Sequence, residues 1–539
     1  MKIIYTFLFL FCITNSFAQK EIDITELEVK SDIFYIKGSD KQYSGSVIKL
    51  HENGKKHLEF VLDEGILNGT STTWNSMGIK QKQGLVTNGL QEGLWTTWNF
   101  GGTKIIEEHF LKGKRDGPFV SFHSNGNKKH KSFYKQGREE GKQTSWFEDG
   151  QKSAEYNNVN GELQGDYLKW HENGQLSLSE KYVNDRREGL SEEWHGNGKK
   201  SKEETYVNGF ANGMTIYWHE NGQKSSEGRV KDYQSYGLQT KWYSNGNLES
   251  KITILDNNIH GEYLTWHDNG QKWSESNYTY GVESGNITKW HENGEKQLEG
   301  FNDTSGQRQG KWFEWHANGN KESVIDYVGG RKNGLVIRWH DNKQKREEYN
   351  SVNGRIEGKF TVWHKNGQMQ QQSTYINGKI EGPSISWHDN GQKSSEENYV
   401  NDLREGVSRS WYKNGQQHYE WNFVNGRYEG IGKEWFKNGM LCAEAEYVKG
   451  IPRGHSVFWY KNGNKKSEWN RIGRRKYEGA KIKWYENGQK EEELKYVSGI
   501  QEGVSTFWYK NGQKSKEQHY KNRSIVKTIE WDEKGEIKK

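Results

Sequence analysis

Apolar and polar residues alternate in short runs along this chain. In Gly213-Met214-Thr215-Ile216-Tyr217-Trp218, the residues Met214, Ile216 and Trp218 stand two apart and share one face of an extended strand; Leu264 with Trp266 and Ile337 with Trp339 repeat the pattern. The run that follows is polar, as in Gln223-Lys224-Ser225-Ser226-Glu227, but its continuation ends in an aromatic: Tyr182, Tyr206, Tyr278, Tyr327, Tyr375, Tyr399, Phe423, Tyr447 and Tyr496 each lie twelve before a Trp. Glycines punctuate the runs, one five residues before the Trp (Gly165, Gly189, Gly213, Gly237) and one four after it (Gly174, Gly198, Gly222, Gly246, Gly270, Gly294). The second usually follows Asn, and Asn-Gly signals a tight hairpin because both residues tolerate positive φ. A further turn, such as Asn208-Gly209, Asn353-Gly354, Asn377-Gly378 or Asn425-Gly426, comes nine before the Trp. Two turns per unit predict two strands of about six to eight residues. Each unit is expected to give one Trp and one Tyr to a shared apolar stripe.

The unit recurs. Trp74, Trp98, Phe122, Trp146, Trp170, Trp194, Trp218, Trp242, Trp266 and Trp290 are 24 apart; after a 25-residue step follow Trp315, Trp339, Trp363, Trp387, Trp411, Trp435 and Trp459, and after a second, Trp484, Trp508 and Trp531. Leu50 holds the same place at the front. Self-similarity at this period identifies one repeat array rather than several domains. The expected fold is all-β: an elongated single-layer antiparallel meander of about 21 tandem 24-residue hairpins. A parallel β-helix uses coils of similar length, but it needs stacked aliphatics inside, and two-residue turns join antiparallel neighbours. The ladder aromatics Trp170 to Trp435 are expected to carry the packing. The extra residue of the two longer units, near Gly300 to Gly310 and Arg471 to Gly479, is expected in the second turn.

Residues 1–18 have the layout of a Sec signal peptide, with Lys2, an apolar run from Ile3 to Ile13, and Ser16-Phe17-Ala18 predicting cleavage after Ala18. That apolar run is shorter than the roughly 20 residues that span a bilayer. Residues 19–31 are expected to form a leader or cap, and residues 32–539 the array. An extracytoplasmic location follows, periplasmic, secreted or at the cell surface.

The unit Tyr-x-Asn-Gly-x-x-x-Gly followed by Trp-His-Glu-Asn-Gly-Gln-Lys resembles the MORN-repeat variant family, including YwqK-like antitoxin components. Tyr375-Ile376-Asn377-Gly378 through Gly382, then Trp387-His388-Asp389-Asn390-Gly391-Gln392-Lys393, is a full copy. Lys343 stands where glycine is expected, and Val526 where the last unit would have one. The resemblance implies an antiparallel β-hairpin repeat used for binding, with an antitoxin or membrane-associated role.

Composition adds limits rather than chemistry. Hydrophobic residues are only 31% and mean hydropathy is -1.14, yet 24 Trp and 29 Tyr mark a folded chain. The 78 basic and 72 acidic residues leave +6, no signature of nucleic-acid binding. Cys12 lies in the leader, so Cys442 remains alone and neither a disulfide nor a cysteine zinc site is expected. Eleven histidines follow the repeat aromatic or its stand-in, among them His171, His195, His219, His267, His291, His340, His364 and His388. Equivalent residues of successive hairpins stand about 9 to 10 Å apart, too far to share one metal. They are expected to face outward before the turn, gaining charge near about pH 6.5 and tuning binding to an acidic partner. Carboxylates such as Glu139-Glu140 and Glu491-Glu492-Glu493 follow the repeat rather than breaking it, so no catalytic site, metal or cofactor is expected. The expected function is a non-enzymatic scaffold for protein–protein interaction. The alternative is glycan or cell-wall binding through aromatics outside the ladder series, Trp95, Trp273, Trp312, Trp421 and Trp469. Association with a membrane surface is the third.

Overall fold

The computed structural model describes residues 21–538. The signal-peptide reading, with Cys12 and the cleavage point at Ala18, lies outside the described residues. The chain forms two compact units, Met1–Asn258 and Ile259–Lys539.

The first unit opens with a cap. Strand Ile22–Asp23 pairs in parallel with Gly45–Leu50, a 3-10 turn follows over Ile24–Glu26, and Leu27–Lys30 folds back on Ile33–Ile36. Ile22, Leu27, Tyr43, Val47, Phe60 and Leu62 close a small hydrophobic core beneath it. The first repeat strand is Gly45–Leu50, so the cap reaches further along the chain than the 31/32 boundary. Beyond it, antiparallel hairpins succeed one another, as in Lys200–Val207 with Phe210–Trp218 and then Lys224–Lys231. The second unit is built the same way, from hairpins such as Lys321–Val328 with Arg331–Trp339. Both units are antiparallel meanders of hairpin repeats, as the turn spacing predicts; the aliphatic coils of a β-helix are not what forms.

The two turns differ in kind. At Asn208-Gly209 both residues have positive φ, 51° and 87°, and Val207 pairs with Phe210, which is a two-residue type I′ turn. After the Trp, Gly174 N–H donates to the His171 carbonyl at 2.9 Å and His171 N–H to the Gln175 carbonyl at 2.9 Å. Only Gly174, at φ 82°, is left-handed there. That is a type I turn closed by a bulge glycine, so the second Asn-Gly does not make the two-residue turn predicted for it. Lys343 takes the same backbone role at φ 70°, a strained conformation for a side chain with a Cβ. The glycine five before the Trp, Gly213 at φ 132°, sits in a bulge that shifts register between the Glu204 and Tyr206 pairings. In the first 25-residue unit the extra residue enlarges the turn at Asp303–Gly306, where Gly306 N–H donates to the Asp303 carbonyl at 2.9 Å. In the second it is not in the turn: Ile472 bulges from strand Lys465–Gly473.

Register separates the aromatics. Trp194 pairs with Lys200 and Glu192 with Glu203 on one face; Ser191 pairs with Glu204 and Gly189 with Tyr206 on the other. Trp and Tyr therefore occupy opposite faces, not a shared stripe, because a two-residue turn pairs an even position with an odd one. Burial is inverted too. Met214, on the Trp face, is 39% exposed, whereas Thr215, behind it, is 5% exposed. In the second unit the core is likewise on the Tyr face, formed by Ile287, Trp312, Ile325, Tyr327, Val336 and Tyr349.

Candidate interaction surface

The Trp face is a lattice of rings, ammoniums and carboxylates. The ladder residues Trp170, Trp194, Trp218, Trp242, Trp266, Trp290, Trp315, Trp339, Trp363, Trp387, Trp411 and Trp435 are all half-buried. A lysine from the preceding repeat lies over many of their rings: Lys152 over Trp170 at 5.7 Å, Lys200 over Trp218 at 5.7 Å, Lys272 over Trp290 at 5.4 Å and Lys345 over Trp363 at 5.6 Å. The same lysines reach the glutamate three residues on, Lys152 to Glu155 at 2.7 Å and Lys200 to Glu203 at 2.6 Å, with Lys345 pairing Glu348 likewise. Each such contact is worth at most about 1 kcal/mol at this exposure. Their periodicity is what makes them a surface.

The hairpin tips on the Trp side are stapled to one another. His171 Nε2 donates to the Trp194 carbonyl at 2.8 Å, His340 Nε2 to Trp363 at 3.0 Å and His388 Nε2 to Trp411 at 2.8 Å. A carbonyl can only accept, so Nε2 carries the proton, and a second proton at Nδ1 leaves the bond intact. Tyrosine takes over where histidine is missing: Tyr412 Oη donates to the Trp435 carbonyl at 2.9 Å and Tyr485 Oη to Trp508 at 2.9 Å. The turn asparagine adds a second staple, Asn173 Nδ2 donating to the Gly196 carbonyl at 2.5 Å while its Oδ1 accepts from Gln175 N–H at 3.1 Å. The histidines are thus half-buried inter-repeat donors rather than outward-facing side chains. His340→Tyr is expected to be neutral in urea unfolding, whereas His340→Phe loses about 1 kcal/mol because the Trp363 carbonyl loses its donor.

At the opposite edge, a side-chain acceptor of the preceding repeat clasps the type I′ turns, most often a carboxylate and in places an amide, as where Gln164 accepts from Asn184 N–H at 3.0 Å and Asn333 from Asn353 N–H at 3.1 Å. The glutamate preceding the bulge glycine accepts the turn N–H of the next repeat: Glu140 from Asn160 at 2.8 Å, Glu188 from Asn208 at 2.8 Å, Glu357 from Asn377 at 2.7 Å and Glu405 from Asn425 at 2.8 Å. One residue before each of these turns stands an exposed aliphatic. Val159, Val183 and Val207 form the series in the first unit; Val352, Ile376, Val400 and Val424, 42 to 50% exposed, form it in the second, with Leu403 paired to Val400.

The Tyr face is closed by charge as well as by packing. Arg187 lies 5.0 Å from the Tyr206 ring centre, donates to Tyr206 Oη at 2.8 Å and pairs with buried Glu180 at 3.1 Å. Burial and the neighbouring Glu204 push the Tyr206 hydroxyl up to about 12.

Comparison with protein families agrees with the geometry. The MORN repeat variant model matches nine times, at residues 115–136, 187–208, 236–256, 259–280, 356–377, 380–401, 404–425, 428–449 and 501–522. The chain belongs to the MORN repeat variant family. No curated protein matches its sequence. Among solved structures it is similar to a chain of the TcdB2-TccC3-Cdc42 crystal structure at 10% identity, covering 89% of this chain and 33% of that one, with a TM-score of 0.13. A chain of the Photorhabdus luminescens Tc holotoxin pore gives 8% identity, 92% and 30% coverage, and 0.13. The chain spans about a third of the length of each, and TM-scores this low support no inference.

The family's turn glycines Gly174, Gly198, Gly222, Gly246, Gly270 and Gly294 all take φ between 80° and 90°. Among the aromatics outside the ladder, Trp95, Trp312 and Trp421 lie over glycines: a Cβ on Gly84, Gly300 or Gly432 would stand 2.1, 2.2 or 2.0 Å from the respective ring. Trp469 packs between Phe458 and Tyr477, with the Arg471 guanidinium 5.3 Å from its ring. These four rings are inside the packing of the MORN-variant sheet. Trp273 alone of the five is exposed, at 47%. Glu492 and Glu493 pair with Lys483 and Lys490, and Glu139 accepts from Tyr134 and Asn158, so the carboxylate runs are engaged in the repeat. Among the described residues no group of three or more His, Cys, Asp or Glu could hold a metal, and no helix is long and apolar enough to cross a membrane. Burial pushes the Cys442 thiol up, away from the reactive thiolate. The staples escaped sequence reasoning, although the Glu-Gly pair and the Trp-His or Trp-Tyr alternation that encode them recur at the repeat period.

Proposed function

We propose that this chain is a non-enzymatic scaffold working outside the cytoplasm, which binds a partner protein along the edge of its repeat sheet. One observation carries the reading. The aliphatic series Val352, Ile376, Val400 and Val424 is exposed in a row while the polar groups around it are already engaged, so the surface on offer is apolar and periodic. Repetition supports an extended partner contact over a single reacting centre, which would require one repeat to differ from its neighbours. The leader sequence supports export, and N-terminal sequencing of exported protein is expected to begin at Gln19. The antitoxin role implied by the family resemblance is a narrower form of the same reading, with a toxin as the partner.

A photo-crosslinking side chain placed at Ile376 in the source cells is expected to trap one protein, and the same group at Asn390, on the opposite edge, to trap none of it. Changing Val352, Val400 and Val424 together to glutamate is expected to abolish the adduct with the circular dichroism spectrum unchanged. Equal adducts at both edges would remove the basis for the reading.

A further inference from the structure

Repeat after repeat carries a bulge just after the tip on its Trp side. Trp266 pairs with Lys272 and Thr265 with Ser274, which leaves Trp273 as the unpaired extra residue, re-aimed away from the ladder. At the equivalent places stand Ser153, Ser201, Ser225, Gln297 and Ser394. A small or polar residue suits this exposed site, so an indole here breaks the repeat without a packing reason. Two other rings occupy the position, and both are consumed: His57 stacks on His51 with centroids 4.3 Å apart, and His418 lies 4.3 Å from Tyr412. Trp273 stands 6.1 Å from His267 at 48°, too far and too tilted to stack, and keeps a free face.

That face borders a groove of about 460 Å³ running across successive tips, lined also by Trp290, His267, His291, Glu292 and Gln297. Trp290 is covered by Lys272 at 5.4 Å, so Trp273 is the available platform. Its surroundings are hydrogen-bonding groups of mixed sense: the Gln297 amide donates and accepts and the Glu292 carboxylate accepts, while the imidazoles of His267 and His291 give Nε2 to the Trp290 and Trp315 carbonyls. One flat apolar face bordered by planar polar groups in an open groove matches a sugar ring, whose axial C–H bonds lie on the indole while its equatorial hydroxyls meet amide and carboxylate. An apolar peptide would leave Glu292 and Gln297 unmatched, and an anion would face Glu292.

We propose that Trp273, with Gln297 and Glu292, forms a pyranose-binding site on the second unit, taking one ring of an oligosaccharide against the Trp273 indole. The site is separate from the aliphatic edge proposed for protein binding, and neither depends on the other.

Isothermal titration of the full chain with cellotetraose, maltotetraose and tetra-N-acetylchitotetraose tests it. At least one is expected to bind with a single site. Trp273→Ala is expected to weaken that binding about tenfold or more, Trp273→Phe to retain it within about threefold because a ring face remains, and Gln297→Ala to weaken it about three- to fivefold. Since Trp273 is exposed, the thermal midpoint of Trp273→Ala is expected to match that of the parent, which separates loss of the site from loss of fold. Absence of binding to all three sugars, or binding that Trp273→Ala leaves unchanged, would overturn the assignment.

Discussion

Replacing Gly300 with alanine is expected to destabilise the second unit by about 2 to 3 kcal/mol, more than a surface change on this chain should cost. Gly300 is buried opposite Ile287, and its φ is not the constraint; space is. A Cβ there would stand 2.2 Å from the Trp312 ring, which is 3% exposed and held by the Arg308 guanidinium 4.1 Å above its face and by the Tyr327 edge at 6.1 Å. The ring has nowhere to retreat without losing both contacts. Removing it instead, by Trp312→Ala, is expected to cost about 3 to 5 kcal/mol through the cavity left beside Ile287 and Ile325. The two changes should not add. In the Trp312→Ala background the Gly300→Ala step is expected to cost less than about 1 kcal/mol, a coupling near 2 kcal/mol, since the atom it would strike has gone. Urea unfolding of the four proteins gives the cycle. Hydrogen exchange should place the loss in strands Lys296–Asn302 and Arg308–Trp315 and their neighbours, as expected where each repeat touches only the next. Additive losses would mean that Gly300 and Trp312 are not a fitted pair.

The fold was legible because turns and period are local signals. Asn208-Gly209 and its counterparts announce a hairpin within a few residues, and the 24-residue recurrence of Trp tells that each hairpin is followed by another. What counting along the chain could not give was which face is the interior. Met214, Ile216 and Trp218 read as a buried apolar stripe, yet the sheet buries Thr215, Glu204 and Tyr206 instead. The cause is that the interior of this sheet is filled by pairs of unlike size, Trp312 over Gly300 and Trp421 over Gly432, and by buried carboxylates with their own cations. Hydropathy cannot see a glycine as the partner of a tryptophan, or a glutamate as a core residue. The staples were hidden for a related reason: His340 and Tyr412 look unrelated as residue types, but each supplies one N–H or O–H to the carbonyl of the next Trp. Of the five extra tryptophans, only the three-dimensional pairing separates Trp273 from those over a glycine.

Acid is expected to probe the buried carboxylates directly. Glu204 is 7% exposed and accepts from Lys202 at 2.7 Å, Tyr206 Oη at 2.6 Å and Thr215 Oγ1 at 3.1 Å. Burial alone would raise its pKa, but the hydrogen bonds from Lys202 and Tyr206 outweigh it and hold the carboxyl below its ordinary 4.5. A carboxyl lowered on folding stabilises the fold fully above the unfolded-state value, and that stabilisation disappears as the pH falls through the folded-state value. At pH 7, Glu204→Gln is expected to cost about 2 to 3 kcal/mol, because Lys202 and Tyr206 lose a charged acceptor in a part-buried site. As the pH falls below the ordinary 4.5 and through the lowered folded-state value, the parent protonates Glu204 itself and the difference from the Gln variant is expected to shrink toward zero. The Lys202→Met variant reverses the argument: with the cation gone, burial dominates, and the Glu204 pKa should rise above the ordinary value. Thermal midpoints of the three proteins from pH 7 to 3 would show the parent and Gln curves converging on the acid side and the Met variant losing its dependence on Glu204 at a higher pH. A gap between parent and Gln variant that stays constant across this range would mean that the carboxylate charge at position 204 does not hold the Tyr face together.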